Sequence, residues 1–315
     1  MKPPGGGGYN AAAPGHDVNE PIRNPQLRPA DFKQFEPPIK ETAMTTTTPR
    51  HLASSATILL LLTLCPAPGR AEVRTKWIEY DHDDVRLAGY FAWDDAIEGK
   101  RPGVLVVHEW WGLNDYVQQR ARELAAMGYA AFALDMFGKG KVTEDADQAK
   151  KWASQLYGNE LMRLRARRGL DVLLEQEQVD ADKVAAIGFC FGGTTVLELA
   201  YSGAPLAGVV SFHGSLPAPR PQDDANIKAK ILICHGTDDP FVSAEEIKAF
   251  KQAMQRSGAD WQIIRFAGAK HSFTNPAADH DVFEGTAYNK DAAERAWRKM
   301  QEFFDGLFGE TADQE

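Results

Sequence analysis

From residue 72 onward, short continuous hydrophobic runs alternate with hydrophobic residues at helical spacing. The runs are typical of strands, and those without polar interruption favour strands buried on both faces of a sheet. They predict strands at 74–80, 85–93, 103–108, 129–134, 184–187, 207–213, 229–235 and 261–266. The first two strands flank a turn at 81–84 and predict a hairpin.

The intervening segments predict helices that begin near Asn114, cover 144–157 and 159–177, follow residue 190 to about 201, begin at Ser243 and close the chain. Asn114 is an expected helix cap, and Ser243 with Glu246 has the spacing of a capping box. Alternation of strands and helices predicts a single α/β domain with a mainly parallel central sheet and helices on both faces.

The first 71 residues do not share this pattern. Residues 1–43 are rich in Pro and Gly and predict disorder. Residues 44–71 resemble a secretory signal peptide, with a basic start, an apolar run over 52–64 and small residues near Ala71. This interpretation makes Met44 the true start and the protein an exported, periplasmic one. A lipoprotein anchored at Cys65, an uncleaved N-terminal anchor and a cytoplasmic protein are the alternatives.

The chain of 315 residues has a net charge of −9 and an ordinary globular composition, 43% hydrophobic and 25% charged. The remaining 240 or so residues suit one domain of this size. An acidic surface repels nucleic acid and anionic lipid, so neither is an expected partner. The basic run 163–168 is predicted to form a solvated helix face. The three cysteines, Cys65, Cys190 and Cys234, are too scattered for a disulfide framework or a zinc site.

Ligands on such a sheet bind beyond the carboxyl ends of the strands. The first chemically informative strand end is Gly188-x-Cys190-x-Gly192, between a strand and a helix. A nucleophile on this tight turn is lifted above the sheet, and the free N–H groups of the helix start favour a thiolate. The alternative is a small buried cysteine at a glycine turn.

A second strand end carries Asp238 and Asp239. Asp239 is favoured as a functional acid because it directly precedes Pro240, although a turn aspartate that caps its own backbone is an alternative. A third carries His271, just past the last strand, where it can reach the thiol as acid or base while the Asp fixes its tautomer. The order nucleophile, acid, histidine is that of the α/β-hydrolase fold. His82, His108, His213, His235 and His280 are interpreted as structural or exposed.

His108-Glu-Trp-Trp-Gly112 follows the first buried strand, where part of an oxyanion hole belongs. The backbone N–H groups of Trp110 and Phe191 are the predicted oxyanion donors. Glu109 is expected close to the thiol.

Taken together, these residues resemble the dienelactone hydrolase family, the carboxymethylenebutenolidases, over about residues 75–308. The matching motifs are His108-Glu-x-x-Gly112, Gly188-Phe-Cys-Phe-Gly-Gly193, Asp239-x-Phe-Val and His271-Ser-Phe. The resemblance implies that Cys190 attacks an ester or lactone carbonyl and that water then hydrolyses the acyl-enzyme with help from His271. It also implies that Glu109 contacts the resting thiol and assists thiolate formation when substrate binds.

Two departures from the family concern the substrate. Family members that act on dienelactone hold its carboxylate with arginines, and one of these positions is Asn275 here. The other lies in a segment, 135–162, that contains no Arg. Lys139, Lys141, Lys150 and Lys151 are possible substitutes without the bidentate fork of Arg.

The sequence therefore predicts a Cys190–His271–Asp239 hydrolase of carboxylic esters or lactones that acts as a monomer on a small-molecule substrate. No cofactor or metal is predicted, and no stable membrane association after removal of the signal. Two other hypotheses remain: a non-catalytic binding or accessory protein on the same fold, and a thiol-transfer protein that uses Cys190 and Cys234.

Overall fold

The computed structural model describes residues 72–278 and 283–309. The predicted disordered segment 1–43 and the predicted signal segment 44–71 both lie outside the described residues. No helix among the described residues is long and apolar enough to cross a membrane.

Strands form where the hydrophobic runs predict them. They are β1 (Val73–His82), β2 (Val85–Asp94), β3 (Arg101–Val107), β4 (Ala130–Leu134), β5 (Val179–Phe189), β6 (Gly208–Phe212), β7 (Lys230–Gly236) and β8 (Trp261–Phe266). β5 begins five residues before the predicted strand, because its polar first half still pairs with the start of β3.

Helices also match the predicted segments. They are α1 (Asp115–Ala126), α2 (Ala146–Ser154), α3 (Glu160–Leu174), α4 (Phe191–Tyr201), α5 (Ala244–Ser257) and α6 (Lys290–Phe308). A short 3-10 helix, Pro221–Asn226, has no counterpart among the predicted elements.

The predicted helix starts carry their side-chain caps. Asn114 accepts a hydrogen bond from the backbone N–H of Val117, and Ser243 accepts one from Glu246. The reciprocal half of the capping box is absent, because the Glu246 side chain instead accepts a hydrogen bond from the backbone N–H of Leu216. That carboxylate therefore ties α5 to the loop after β6.

The eight strands form one sheet in the order β1-β2-β4-β3-β5-β6-β7-β8. β1 and β2 are antiparallel, β2 is antiparallel to β4, and all other neighbours are parallel. Side chains of α1 and α6 pack on one face of the sheet, and those of α3, α4 and α5 pack on the other. The parallel strands therefore end at one edge of a sheet covered on both faces, as the α/β prediction requires.

One prediction about α3 is wrong. The basic run 163–168 is not a wholly solvated face, since Arg163 and Arg165 are buried. Arg163 donates to both carboxylate oxygens of Asp223 and to Glu198, and Arg165 donates to the backbone carbonyl of Met136. Buried arginines require such partners, and these come from elements far along the chain.

Candidate active site

Cys190 occupies the single residue between β5 and α4. Its backbone has φ 52° and ψ −114°, a left-handed conformation that is costly for a residue with a side chain. The thiol is partly exposed, whereas the last six residues of the strand before it and most of the helix after it are buried. The turn therefore lifts this side chain out of the core.

Glycines on both sides make the turn possible. A Cβ on Gly188 would lie 2.0 Å from the carbonyl oxygen of Gly192, and one on Gly192 would lie 2.2 Å from that of Val107. Both contacts are with backbone that cannot move aside, so the helix start can approach β3 and β5 only if these positions lack side chains. The Gly-x-Cys-x-Gly pattern is a geometric requirement of this turn.

Asp239 and His271 lie side by side after β7 and β8. The Nδ1 of His271 is 2.8 Å from Oδ2 of Asp239, and the Asp239 side chain is fully buried. Oδ1 of Asp239 accepts the backbone N–H of Phe241 at 2.9 Å, which fixes the carboxylate. Asp238 is exposed and accepts a hydrogen bond from the hydroxyl of Thr237. Of the two aspartates, only Asp239 therefore contacts the imidazole.

Cys190 and His271 line the same cavity and interact electrostatically, and Nε2 of His271 is the ring nitrogen that is not bonded to Asp239. Burial lowers the pKa of His271, but the electrostatic effect of nearby Cys190 and the hydrogen bond with Asp239 outweigh it and raise this pKa to about 10. The site therefore favours the imidazolium form of His271.

Glu109, after β3, is buried close to the triad but its carboxylate faces the loop that carries His271. Oε1 accepts a hydrogen bond from the Ser272 hydroxyl at 2.9 Å, and Oε2 accepts one from the Asn275 amide at 2.6 Å. Burial raises the pKa of Glu109, while these two donors and the positive charge of His271 act in the opposite direction. The hydrogen bonds of Glu109 thus go to Ser272 and Asn275, and the expected contact with the resting thiol stays a prediction.

The two predicted oxyanion donors lie at the ends of adjacent strands. Trp110 follows β3 by three residues, and Phe191 is the first residue of α4. Within residues 72–278 and 283–309, neither backbone N–H is bonded to a protein acceptor. Both remain available to a developing negative charge.

His213 takes part in a hydrogen-bond network that the sequence does not predict. Its backbone has φ 41°, and its Nδ1 accepts the backbone N–H of Cys190 at 3.1 Å. Nε2 lies 2.7 Å from the hydroxyl of Thr274, which is 2.8 Å from that of Tyr116. Burial, together with the charge of His271, lowers the pKa of His213 well below its usual value, so the ring is neutral and can accept at Nδ1. The only available signal was a histidine at the end of a buried strand.

His108 and His235 are both buried, and their structural role stays a prediction. His108 is buried and joins two strand ends, with Nδ1 against the backbone carbonyl of Glu109 and Nε2 accepting the N–H of Met136. His235 is buried within β7. His280 lies outside the described residues.

A cavity of about 630 Å³ opens in front of Cys190 and His271. Aromatic side chains dominate its wall: Trp110, Trp111, Tyr157, Phe241 and Phe283. None of Lys139, Lys141, Lys150 and Lys151 lines it. Among the described residues, no group of His, Cys, Asp or Glu side chains could hold a metal ion.

An eight-stranded sheet in this order, with a nucleophile turn after β5 and an acid and a histidine after β7 and β8, defines an α/β-hydrolase. The sequence model of the dienelactone hydrolase family matches residues 87–308. The chain belongs to the dienelactone hydrolase family of hydrolases, which confirms both the predicted fold and the resemblance.

Relatives match most of the described chain. Protein usf of Aquifex pyrophilus is 30% identical over 233 residues, which are 72% of this chain and 96% of that protein. The crystal structure of a dienelactone hydrolase-like promiscuous phosphotriesterase from metagenomic libraries is 43% identical, with a TM-score of 0.74 and coverage of 76% of this chain and 100% of its own. A dienelactone hydrolase from Anabaena variabilis, 18% identical over 75% of this chain and 99% of its own, has a TM-score of 0.55 and shares the fold.

Proposed function

We propose that this protein hydrolyses carboxylic esters or lactones through an acyl-enzyme on Cys190, with His271 as acid and base and Asp239 as the residue that orients His271. The observation that carries the proposal is the placement of Cys190 and the hydrogen-bonded Asp239–His271 pair at one apolar cavity, where Cys190 and His271 interact electrostatically. An imidazolium beside a thiolate is the resting state that a thiol nucleophile needs.

In the first half of the reaction, Sγ of Cys190 attacks the carbonyl carbon and the carbonyl oxygen becomes an oxyanion. The backbone N–H groups of Trp110 and Phe191 are the proposed donors to this oxygen. When the C–O bond of the ester breaks, the Nε2–H of His271 protonates the leaving alkoxide, and a thioester remains on Cys190. Asp239 orients the ring for this step and keeps the remaining proton on Nδ1 of the neutral His271 that results.

In the second half, neutral His271 accepts a proton from water as the water attacks the thioester. The tetrahedral intermediate collapses with release of the acid, and Cys190 leaves as a thiolate beside protonated His271. The thiolate is a better leaving group than an alkoxide, so the enzyme returns to its starting charge state without further proton transfer.

Glu109 has a supporting part in this proposal. A buried carboxylate beside His271 stabilises the imidazolium electrostatically, and its bonds to Ser272 and Asn275 fix the loop that carries the histidine. Direct contact of Glu109 with the resting thiol, which the family resemblance implies, is part of the same proposal.

Hydrolysis of neutral phosphotriesters is a second candidate. The observation that favours it is the 43% identity with the metagenomic phosphotriesterase, over the whole of that chain. Attack of the same thiolate on phosphorus, with loss of an aryl alcohol, would use the same proton donor.

Rapid quenching tests the proposed mechanism. The protein is mixed with 4-nitrophenyl acetate, quenched in acid and digested, and the Cys190 peptide should carry one acetyl group while nitrophenol is released in a burst. Steady turnover with the acetyl group on another residue would contradict the assignment of Cys190. Labelling of Cys190 by iodoacetamide with no ester hydrolysis would favour the accessory or thiol-transfer hypothesis.

We also propose that the protein is exported after cleavage near Ala71 and acts as a monomer. The support for export is the sequence of residues 44–71. N-terminal sequencing of the protein from the periplasm tests it, and a mature start upstream of Met44 would overturn it. Size-exclusion chromatography with light scattering measures the oligomeric state.

A further inference from the structure

The described part of the wall of the cavity in front of Cys190 carries almost no charge. Among the described residues that line it, none is Lys or Arg. Apart from the Cys190–His271 pair, Glu144 is the one described lining residue with a formal charge, and it is exposed. The fixed charge that a substrate meets at the described wall is therefore negative.

Two polar groups of the wall are already bound to a protein carboxylate. The Ser272 hydroxyl and the Asn275 amide both donate to buried Glu109, at 2.9 and 2.6 Å. The Asn275 carbonyl oxygen accepts the backbone N–H of Ala277 at 3.0 Å, so this side chain is held at both ends. An anionic group on a substrate would have to compete with Glu109 for these donors.

Arg120, a partly buried cation that acts electrostatically on Glu109, is directed elsewhere. Arg120 lies behind the site, where it pairs with Glu123 at 2.7 Å and donates to the backbone carbonyl of Thr274 at 2.9 Å. It is absent from the cavity wall. Lys139, on the loop that approaches the cavity, pairs with Glu79. Neither cation is placed to receive a carboxylate from a bound ligand.

A carboxylate that enters this cavity loses hydration without gaining a counter-ion from the described wall, and it meets the negative charge of Glu144. An uncharged ester group of the same shape meets aromatic surface instead. We infer that the cavity selects substrates whose acyl and leaving groups are uncharged, and discriminates against those that carry a carboxylate. This inference rests on the proposed ester and lactone hydrolysis and names its substrate class, in contrast to family members that grip a carboxylate with arginines.

A matched pair of esters tests the inference. Methyl 4-nitrophenyl adipate and 4-nitrophenyl hydrogen adipate share the acyl chain and the leaving group, and differ only in a methyl group against a negative charge. We expect kcat/KM for the neutral diester to exceed that for the anion by about 30-fold or more, from desolvation and repulsion together. Steric exclusion would predict the reverse, since the neutral ester is the larger molecule.

Reversal of the charge of Glu144, on the cavity wall, makes the test more specific. Glu144→Lys should reduce the ratio of the two kcat/KM values by about tenfold, because it replaces repulsion with attraction. Glu177→Lys is the matched control, because it makes the same change of net charge. Glu177 lies between α3 and β5, next to Gln178, and the Gln178 carbonyl accepts the backbone N–H of Arg101 at the start of β3. That end of the strands is opposite the site, so Glu177→Lys should leave the ratio at its wild-type value.

The outcomes separate the inference from the function on which it rests. Equal kcat/KM values for the two esters, or a preference for the anion, would overturn the inference while ester hydrolysis stands. An equal change in the ratio for both lysine variants would also overturn it, because net charge and not the cavity would then decide. Failure to hydrolyse either ester, in a protein that does hydrolyse 4-nitrophenyl acetate, would show that the cavity does not admit this acyl chain and would overturn the inference alone. Failure with all three would overturn the proposed function and the inference with it.

Discussion

Cys190 and Cys234 are two thiols in the same sheet with opposite surroundings. Cys234 lies within β7, is fully buried in an apolar layer, and its pKa is raised by that burial. Cys190 lies one residue past the end of β5, is partly exposed, and interacts electrostatically with His271. The residue type is the same, and the difference arises from position along the strand.

The comparison shows that the end of a strand can give a cysteine unpaired N–H groups and catalytic partners, which the interior of a strand cannot. Past the last residue of β5 the chain turns sharply into α4, whose unpaired N–H groups favour negative charge. At the same edge, the loops after β7 and β8 bring in a carboxylate and an imidazole. Inside β7, both backbone hydrogen bonds and neighbouring side chains are already committed to the sheet.

Replacement of Cys190 and replacement of Cys234 should change kcat by very different amounts, and this is the largest contrast that we expect. Cys190→Ala is expected to lower kcat for 4-nitrophenyl acetate by about 10⁴-fold or more, because it removes the proposed nucleophile of the acyl-enzyme. Cys234→Ala should leave kcat within about threefold, since its sulfur contacts only packing neighbours. Steady-state kinetics on the two variants, with circular dichroism to verify folding, measures the contrast. Turnover by folded Cys190→Ala within tenfold of wild type would remove Cys190 from the mechanism.

Replacement of Asp238 and replacement of Asp239 should also change kcat by very different amounts. Asp239→Asn is expected to reduce kcat by about 10³- to 10⁴-fold, because an amide at this position favours the wrong tautomer of His271. Asp238→Asn is the matched control and should leave kcat within about threefold, since Asp238 is exposed and bonded to Thr237. A larger loss for Asp238→Asn than for Asp239→Asn would reassign the acid that serves Cys190.

Much of this arrangement could be predicted from the sequence because it depends on short-range patterns. The hydrophobic runs identify the strands, and Asn114 and Ser243 identify the starts of α1 and α5 through side-chain bonds that span three residues. Residues at strand ends are then brought together by the topology of parallel sheets. The candidate triad follows from these local facts.

What could not be predicted depends on partners far apart in the chain. Arg163 is buried because Asp223, 60 residues away, accepts from its guanidinium, and nothing near α3 indicates this. Glu109 and Asn275 are bound although 166 residues separate them. Glu246 bonds to Leu216 rather than to its own helix start. Polar pairing of this kind is set by tertiary packing, which hydrophobic periodicity does not encode.

His213 connects the two thiols, and its removal should have an intermediate effect. Its backbone N–H donates to the carbonyl of Cys234 at 2.9 Å, while its ring accepts the N–H of Cys190. His213→Ala is expected to lower kcat on the order of tenfold with little change in KM, because the nucleophile turn loses one support. The loss is limited because the backbone N–H of Cys190 also donates to the carbonyl of Phe212 at 3.0 Å.

His213→Asn is the matched variant for this prediction. An Asn carbonyl oxygen can take the place of Nδ1 as acceptor, and Asn tolerates the left-handed backbone at this position. It should therefore recover most of the lost kcat. If Asn and Ala reduced kcat equally, or if both raised KM alone, the ring would have no part in positioning Cys190.

The smallest expected effect concerns the stability of the region around Cys234. Cys234→Ser keeps the shape of the side chain but buries a hydroxyl in an apolar layer, where an unpaired hydroxyl costs about 1–3 kcal/mol. Cys234→Ala leaves a small void instead, and we expect it to lower the free energy of unfolding by less than Cys234→Ser does. Urea unfolding of the three proteins measures the difference, and turnover should persist in both variants because neither touches the strand end. If Cys234→Ser were as stable as wild type, the new hydroxyl would have to find a hydrogen-bond partner near β7. The surroundings of Cys234 would then not be wholly apolar, and the contrast with Cys190 would not be explained by burial.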